Sequence, residues 1–167
     1  MEKKILSEQA VYYGSVDMPK GFEINPLTLT NNFFKTLYKK KTFLISKDFD
    51  KLNNYIIEFI QLNYKISLVN KNSWTDLFIP NETTKLKSNV DPVDLRNSAD
   101  FTLLYGINTV DCNVEIFYDD NRRKGRSWIL PLTDNNFIMF PATNMYSIIN
   151  KQKESLNFVQ TITYEYI

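Results

Sequence analysis

A chain of 167 residues with 12 Phe, 10 Tyr and 43% hydrophobic residues carries enough apolar material for one sizeable core and too little for two. Lys and Arg total 20 against 19 for Asp and Glu, a net charge of +1, which removes any global electrostatic case for nucleic acid or an anionic membrane as partner. The count of 0 His excludes Ser-His-Asp triads, Cys-His pairs, zincin motifs and the two-His-one-carboxylate iron site together.

Catalysis in such a chain has to run on carboxylates, Lys, Tyr or a bound hard metal. The one cysteine, Cys112, excludes an intrachain disulfide and a cysteine-based zinc site, and fits a reducing compartment. Flanked by strand formers, it reads as a small buried apolar residue. MEKKILSEQA turns polar after two apolar residues, and no apolar run approaches the ~20 residues of a membrane span. A soluble intracellular protein without a secretory leader is the expectation.

In chain order, residues 1–24 read as an extended arm with a short strand at Ala10 to Tyr13. NPLTLTNNFFKTLYKKK then offers Thr30 as an N-cap, Phe33, Phe34, Leu37 and Tyr38 at helical spacing, and Lys39, Lys40 and Lys41 at the negative end of the dipole. TFLIS reads as extended, and Ser46 or Asp48 caps the clearest helix in the chain. Its stripe is Phe49, Leu52, Tyr55, Ile56, Phe59 and Ile60, with Lys51, Asn54, Glu58 and Gln61 opposite. Such a stripe is core, packed against a sheet.

KISLVN at 65–70 reads as a strand, and Ser73-Trp74 opens a short ordered segment ending at Pro80. The stretch 81–99 loses nearly all apolar content and reads as a long loop, either a lid or a surface crossing. From Asp100 the β pattern takes over. Val110, Cys112, Val114, Ile116 and Tyr118 share one strand face, with Asp111, Asn113, Glu115 and Asp119 opposite. DDNRRKGR is a hairpin leading into SWILPL, where Pro131 marks an edge strand or bulge. NNFIMFPA, YSIIN and LNFVQTITYEYI follow as strands. The last alternates, with Leu156, Phe158, Gln160, Ile162, Tyr164 and Tyr166 on one face, and should be paired within a sheet.

Two constellations bear on chemistry. Arg122, Arg123, Lys124 and Arg126 place four cations on one turn, a candidate site for phosphate or an acidic partner, although Asp119 and Asp120 beside them would neutralise much of that field. Any nucleic acid contact has only this basic hairpin to use. The carboxylate face of Asp111, Glu115 and Asp119 is the candidate site for a hard cation such as Mg²⁺ or Ca²⁺, competing with an ordinary polar face on an outer strand. The 4 Gly are dispersed and form no phosphate loop.

FPATNMYSIINKQKESLNF resembles the C-terminal half of the double-stranded β-helix of 2-oxoglutarate and iron(II) dependent oxygenases. Members often show a strand ending in Phe-Pro, a metal-binding His a few residues on, and an Arg in the last strands that binds the cosubstrate carboxylate. Phe140-Pro141 matches the first element, Tyr146 stands where the distal His would be, and Lys153 stands near the Arg. No His-x-Asp motif occurs upstream. DPVDLRNSADFTLLYG, YDDNRRKGRSW and SLNFVQTITYEYI also resemble proteins of contractile-tailed marine phages that infect cyanobacteria, which implies a host-cytoplasmic or virion location.

These readings combine into an α+β, mainly β, single domain over 1–167. A helical and loop-rich half (1–99) leads into a β-rich half (100–167), and one or two N-terminal helices pack on a jelly-roll-like double-stranded β-helix. The expected role is a non-catalytic binding or assembly protein of a phage, with protein partners or virion subunits, no membrane and no cofactor. The alternatives are a divergent oxygenase-like enzyme using a divalent metal and 2-oxoglutarate with Tyr146 and Lys153 in its pocket, and an inhibitor or adaptor of a host protein.

Overall fold

The computed structural model describes residues 9–16, 25, 27–28, 30–31, 41–42, 47–119 and 125–167. Among them nine strands build two antiparallel sheets. The strands are β1 (Tyr12–Ser15), β2 (Lys41–Thr42), β3 (Leu68–Phe78), β4 (Phe101–Asn108), β5 (Cys112–Asp119), β6 (Arg126–Pro131), β7 (Asn136–Pro141), β8 (Met145–Asn150) and β9 (Asn157–Tyr166). The larger sheet has the order β1-β7-β4-β9-β3-β2 and the smaller β6-β5-β8.

The stretch 81–99 is more than a loop. Thr83 bridges Ile149 and Lys87 bridges Tyr146, with Lys87 N–H on Tyr146 O at 3.0 Å and the reciprocal bond at 2.9 Å. An irregular ribbon thus extends the smaller sheet beyond β8. Its polar composition hides the pairing, because only its backbone joins the ladder. From β3 onward the chain passes between sheets at nearly every step, which makes the fold a double-stranded β-helix, as the sequence implied.

Alternation along each strand sends one set of side chains between the sheets and the other outward. Phe78, Leu104, Val114, Ile116, Ile138, Phe140, Ile148 and Val159 form the core between the sheets. The outer face of the larger sheet presents Leu103, Tyr105, Phe137, Met139, Ile162 and Tyr164, and is covered by helix α1 (Lys47–Tyr64) through Leu52, Ile56 and Ile60. The helical stripe lands as its spacing predicted, each of those three side chains contributing about 1.5–3 kcal/mol by leaving water. α1 ends where Lys65 turns to φ 59 and its N–H bonds Gln61 O at 3.0 Å, a left-handed stop that more often uses Gly.

Several sequence expectations shift. Asn25, not Thr30, caps the first helical turn, accepting from Leu27 N–H at 2.9 Å, and Thr30 lies inside it. Phe33, Phe34, Leu37 and Tyr38 lie outside the described residues, as do Lys39 and Lys40, and so does the stretch 43–46. β3 runs unbroken through Ser73 and Trp74 because both pair with β9. Val110 and Tyr118 are exposed, since the barrel closes on Cys112, Val114 and Ile116 between them. β6 is an outer strand, which suits Pro131. Among the described residues no helix is long and apolar enough to cross a membrane.

Candidate ligand site at the barrel mouth

Register decides which residues line the barrel. Along β9 the inward positions Val159, Thr161 and Thr163 face Asp76, Trp74 and Asn72 on β3, and Thr163 also faces Thr102 on β4. The lining therefore changes from apolar at Phe78, Leu104 and Val159 to polar at Trp74, Asp76, Thr102, Thr161 and Thr163. From the opposite sheet come Tyr146 on β8 and, on the ribbon, Lys87 and Asn89. Lys87 and Tyr146 exchange both backbone bonds, so their side chains project to the same side.

These groups bond to one another. Asn89 Nδ2 donates to Thr102 Oγ1 at 3.0 Å and to Tyr146 Oη at 3.2 Å. Asp76, 6% exposed, gathers three donors on Oδ2: Trp74 Nε1 at 3.1 Å, Thr161 Oγ1 at 3.4 Å and Lys87 Nζ at 3.6 Å. A buried carboxylate persists only with such compensation. Lys87 Nζ also sits 5.3 Å from the centroid of the Tyr146 ring, whose other contact is an edge-on Phe140. Burial holds the Tyr146 phenol far above its ordinary range, the Asn89 bond lowers it somewhat and the Asp76 charge raises it further. The phenol is therefore neutral near pH 7. Beside this network a cleft of about 220 Å³ opens between β3, β9 and the ribbon, with Asn72, Trp74, Asn89, Asp91, Asn97 and Thr163 in its lining.

Of the residues singled out by sequence, Tyr146 is at this centre. Lys153 is exposed in the turn between β8 and β9, its N–H on Gln152 Oε1 at 2.6 Å. β8 runs from Met145 at the mouth to Asn150, so that turn belongs to the opposite end and does not meet Tyr146. Arg126 is exposed at the start of β6, while Arg122, Arg123 and Lys124 lie outside the described residues. Pairing of Phe117 with Met145 and of Asp119 with Arg126 puts Arg126 and the start of β6 at the mouth end. Glu115 accepts from Ser127 Oγ at 2.7 Å on an exposed face, and Asp111 sits in a left-handed turn ahead of β5. The Asp119 side chain is not among those described. No group of three or more His, Cys, Asp or Glu suited to a metal occurs among the described residues.

Sequence reading missed Lys87, Asn89, Asp76, Trp74 and Thr102. The available signal was parity: Thr161 and Thr163 share their strand face with Val159, and Thr102 shares its face with Leu104, so polar side chains occupy positions that alternation assigns to the barrel. Asn89-Val90-Asp91 also keeps the spacing of a His-x-Asp motif, with Asn in the His place.

No protein-family model and no curated protein sequence matches the chain. Solved structures do. The epimerase SnoN in complex with Fe³⁺, alpha-ketoglutarate and nogalamycin RO superposes with a TM-score of 0.66 at 9% identity, over 94% of this chain and 79% of that one. A prolyl hydroxylase from Trichoplax adhaerens, in complex with a hypoxia inducible factor peptide fragment, gives 0.66 at 9%, over 93% and 83%. The viral collagen prolyl hydroxylase of Paramecium Bursaria Chlorella virus-1, in its 2OG complex, gives 0.58 at 13%, over 92% and 95%. The architecture is the double-stranded β-helix of 2-oxoglutarate and iron(II) oxygenases.

The expectation of no cofactor gives way here, because structures of this architecture are solved with 2-oxoglutarate, and SnoN with iron as well. The iron itself does not fit the residues at this mouth. The chain has no His, Tyr146 is a neutral phenol already bonded to Asn89, and Asp76 is engaged by three donors. Iron held by imidazole nitrogen has no donors here.

Proposed function

We propose that the protein is a divergent oxygenase-like protein whose ligand site is the barrel mouth, with 2-oxoglutarate as the cosubstrate. The observation that carries this reading is the Lys87 ammonium held inside the barrel, between Asp76 and the Tyr146 ring. A dicarboxylate needs a fixed positive charge in a site of low dielectric. Tyr146, being neutral, adds a hydroxyl without repelling the carboxylate.

The fold likeness supports this reading over a non-catalytic jelly roll or a host-protein adaptor. The mouth offers oxygen rather than imidazole, so a cation bound with the cosubstrate belongs to the hard class of Mg²⁺, Ca²⁺ or Mn²⁺. No reaction step is assigned to it. A phage origin, a host-cytoplasmic or virion setting and protein partners at the basic hairpin are proposed from the sequence alone.

Calorimetric titration and thermal shift with 2-oxoglutarate, with and without Mg²⁺, Mn²⁺ and Fe²⁺, test the reading. Saturable binding that Lys87→Met abolishes and Lys87→Arg retains is the expected result. Absence of binding under every metal condition overturns it.

A further inference from the structure

The cleft beside the network differs from its floor in charge and in chemistry. Its two charged side chains are opposite in sign: Lys71, paired with Glu165, and Asp91, whose Oδ1 accepts from Val93 N–H at 2.8 Å. The remaining lining is three amides, Asn72, Asn89 and Asn97, with the hydroxyls of Ser98 and Thr163, the indole of Trp74 and the methyl of Ala99. Asn89 Nδ2 is spent on Thr102 and Tyr146 and Ser98 Oγ on Asp91 and Asp94, which leaves the amide oxygens to accept from the hydroxyls of a ligand. A phosphate would find no unpaired positive charge in this lining.

Trp74 adds a flat apolar wall, and its N–H bond to Asp76 fixes the ring before any ligand arrives, lowering the ordering cost of binding. A volume of about 220 Å³ holds about seven waters at ~30 Å³ each. That is room for one sugar ring and too little for a peptide of several residues.

We infer that this cleft binds a neutral, hydroxyl-rich ligand of monosaccharide size, its apolar ring face against Trp74 and its hydroxyls on the amides. The inference rests on the barrel mouth being the ligand site and names the substrate class for it. The 81–99 ribbon supplies Asn89, Asn97 and Ser98, so the stretch that reads as a long loop, a lid or a surface crossing, becomes one wall of the substrate site.

Saturation-transfer NMR of the full chain with glucose, galactose, mannose, N-acetylglucosamine and ribose tests the assignment, with glucose 6-phosphate and glucosamine as charged controls. Expected is transfer to at least one neutral sugar, strongest at ring C–H protons, reduced at least tenfold by Trp74→Ala and by Asn97→Leu. Asn97 is exposed, so its variant keeps the test valid if Trp74→Ala fails to fold. No transfer to any neutral sugar, or stronger binding of a charged control, overturns the inference. Parallel titration with 2-oxoglutarate separates the two claims: binding of 2-oxoglutarate without any sugar sinks only the sugar assignment, and sugar binding without 2-oxoglutarate sinks only the cosubstrate.

Discussion

The side chain of Asn89 bonds the phenol oxygen of Tyr146 on the neighbouring β8, and the same nitrogen crosses the barrel to Thr102 on the other sheet. Three elements far apart in sequence are thereby joined at the barrel mouth. Tyr146→Phe keeps the ring and its Phe140 contact but removes the acceptor, leaving the Asn89 amide with Thr102 alone. A loss of about 0.5–1.5 kcal/mol is expected. Tyr146→Ala also opens a cavity in a position that is 0% exposed, and about 3–5 kcal/mol is expected. Urea denaturation of the two variants against the parent measures both, and equal losses would show that the hydroxyl carries the whole effect.

At the other end of the barrel Gly106 admits no side chain. A Cβ there would lie 2.4 Å from Thr133 O and 2.6 Å from Thr109 Oγ1, and the first of these is backbone that cannot swing away. Gly106→Ala should cost about 1–3 kcal/mol or more, even though alanine suits a strand better than glycine in the abstract. A stability equal to the parent would mean that the Thr133 backbone, in the turn between β6 and β7, yields freely.

How much of this was legible beforehand depends on what alternates. β7, β8 and β9 and the α1 stripe were readable, because apolar residues at period two or at helical spacing have one way to be buried. The 81–99 ribbon was not, since a strand that pairs through its backbone while its side chains line a polar cleft gives no hydrophobic period. The site followed the same rule. Tyr146 was legible through its distance from Phe140-Pro141, whereas Lys87 and Asp76 are separated by eleven positions in sequence and meet only because β3 and the ribbon belong to opposite sheets. Lys153 shows the converse, near the right position in sequence and at the wrong end of the barrel.

Alkaline pH should unfold this protein in a defined window. Burial pushes the Cys112 thiol up to about 12 from 9.0. Burial, with the Asp134 charge, pushes the Tyr105 phenol up to about 12 from 10.0. Burial drives Tyr146 and Tyr164 further still. Between the unfolded and folded values the native state binds more protons than the unfolded chain, so stability is whole below pH 9 and declines as pH rises toward 12. Urea midpoints at pH 7.5, 9.5 and 11 are expected to fall slightly between the first two and much further at the third. Cys112→Ala should flatten the early part of the decline, and an unchanged pH profile in that variant would remove the thiol from the account.

The helix offers a test of whether its coverage of the larger sheet, rather than its own propensity, holds it in place. Ile56 is 1% exposed against the outer face of β4, β7 and β9, while Leu62 on the same helix is 72% exposed. Isolated helices of this length are marginal in water, so α1 depends on its buried stripe. Ile56→Ala is expected to destabilise by about 2–5 kcal/mol through lost burial and a cavity, and Leu62→Ala by less than about 0.5 kcal/mol. Alanine is the better helix former in both cases, so propensity predicts a gain at each position and packing predicts a loss at one. Circular dichroism at 222 nm during urea titration reads helix and stability together. A large loss at Ile56 with none at Leu62 assigns the helix to packing, and equal small effects would show that the larger sheet stands without it.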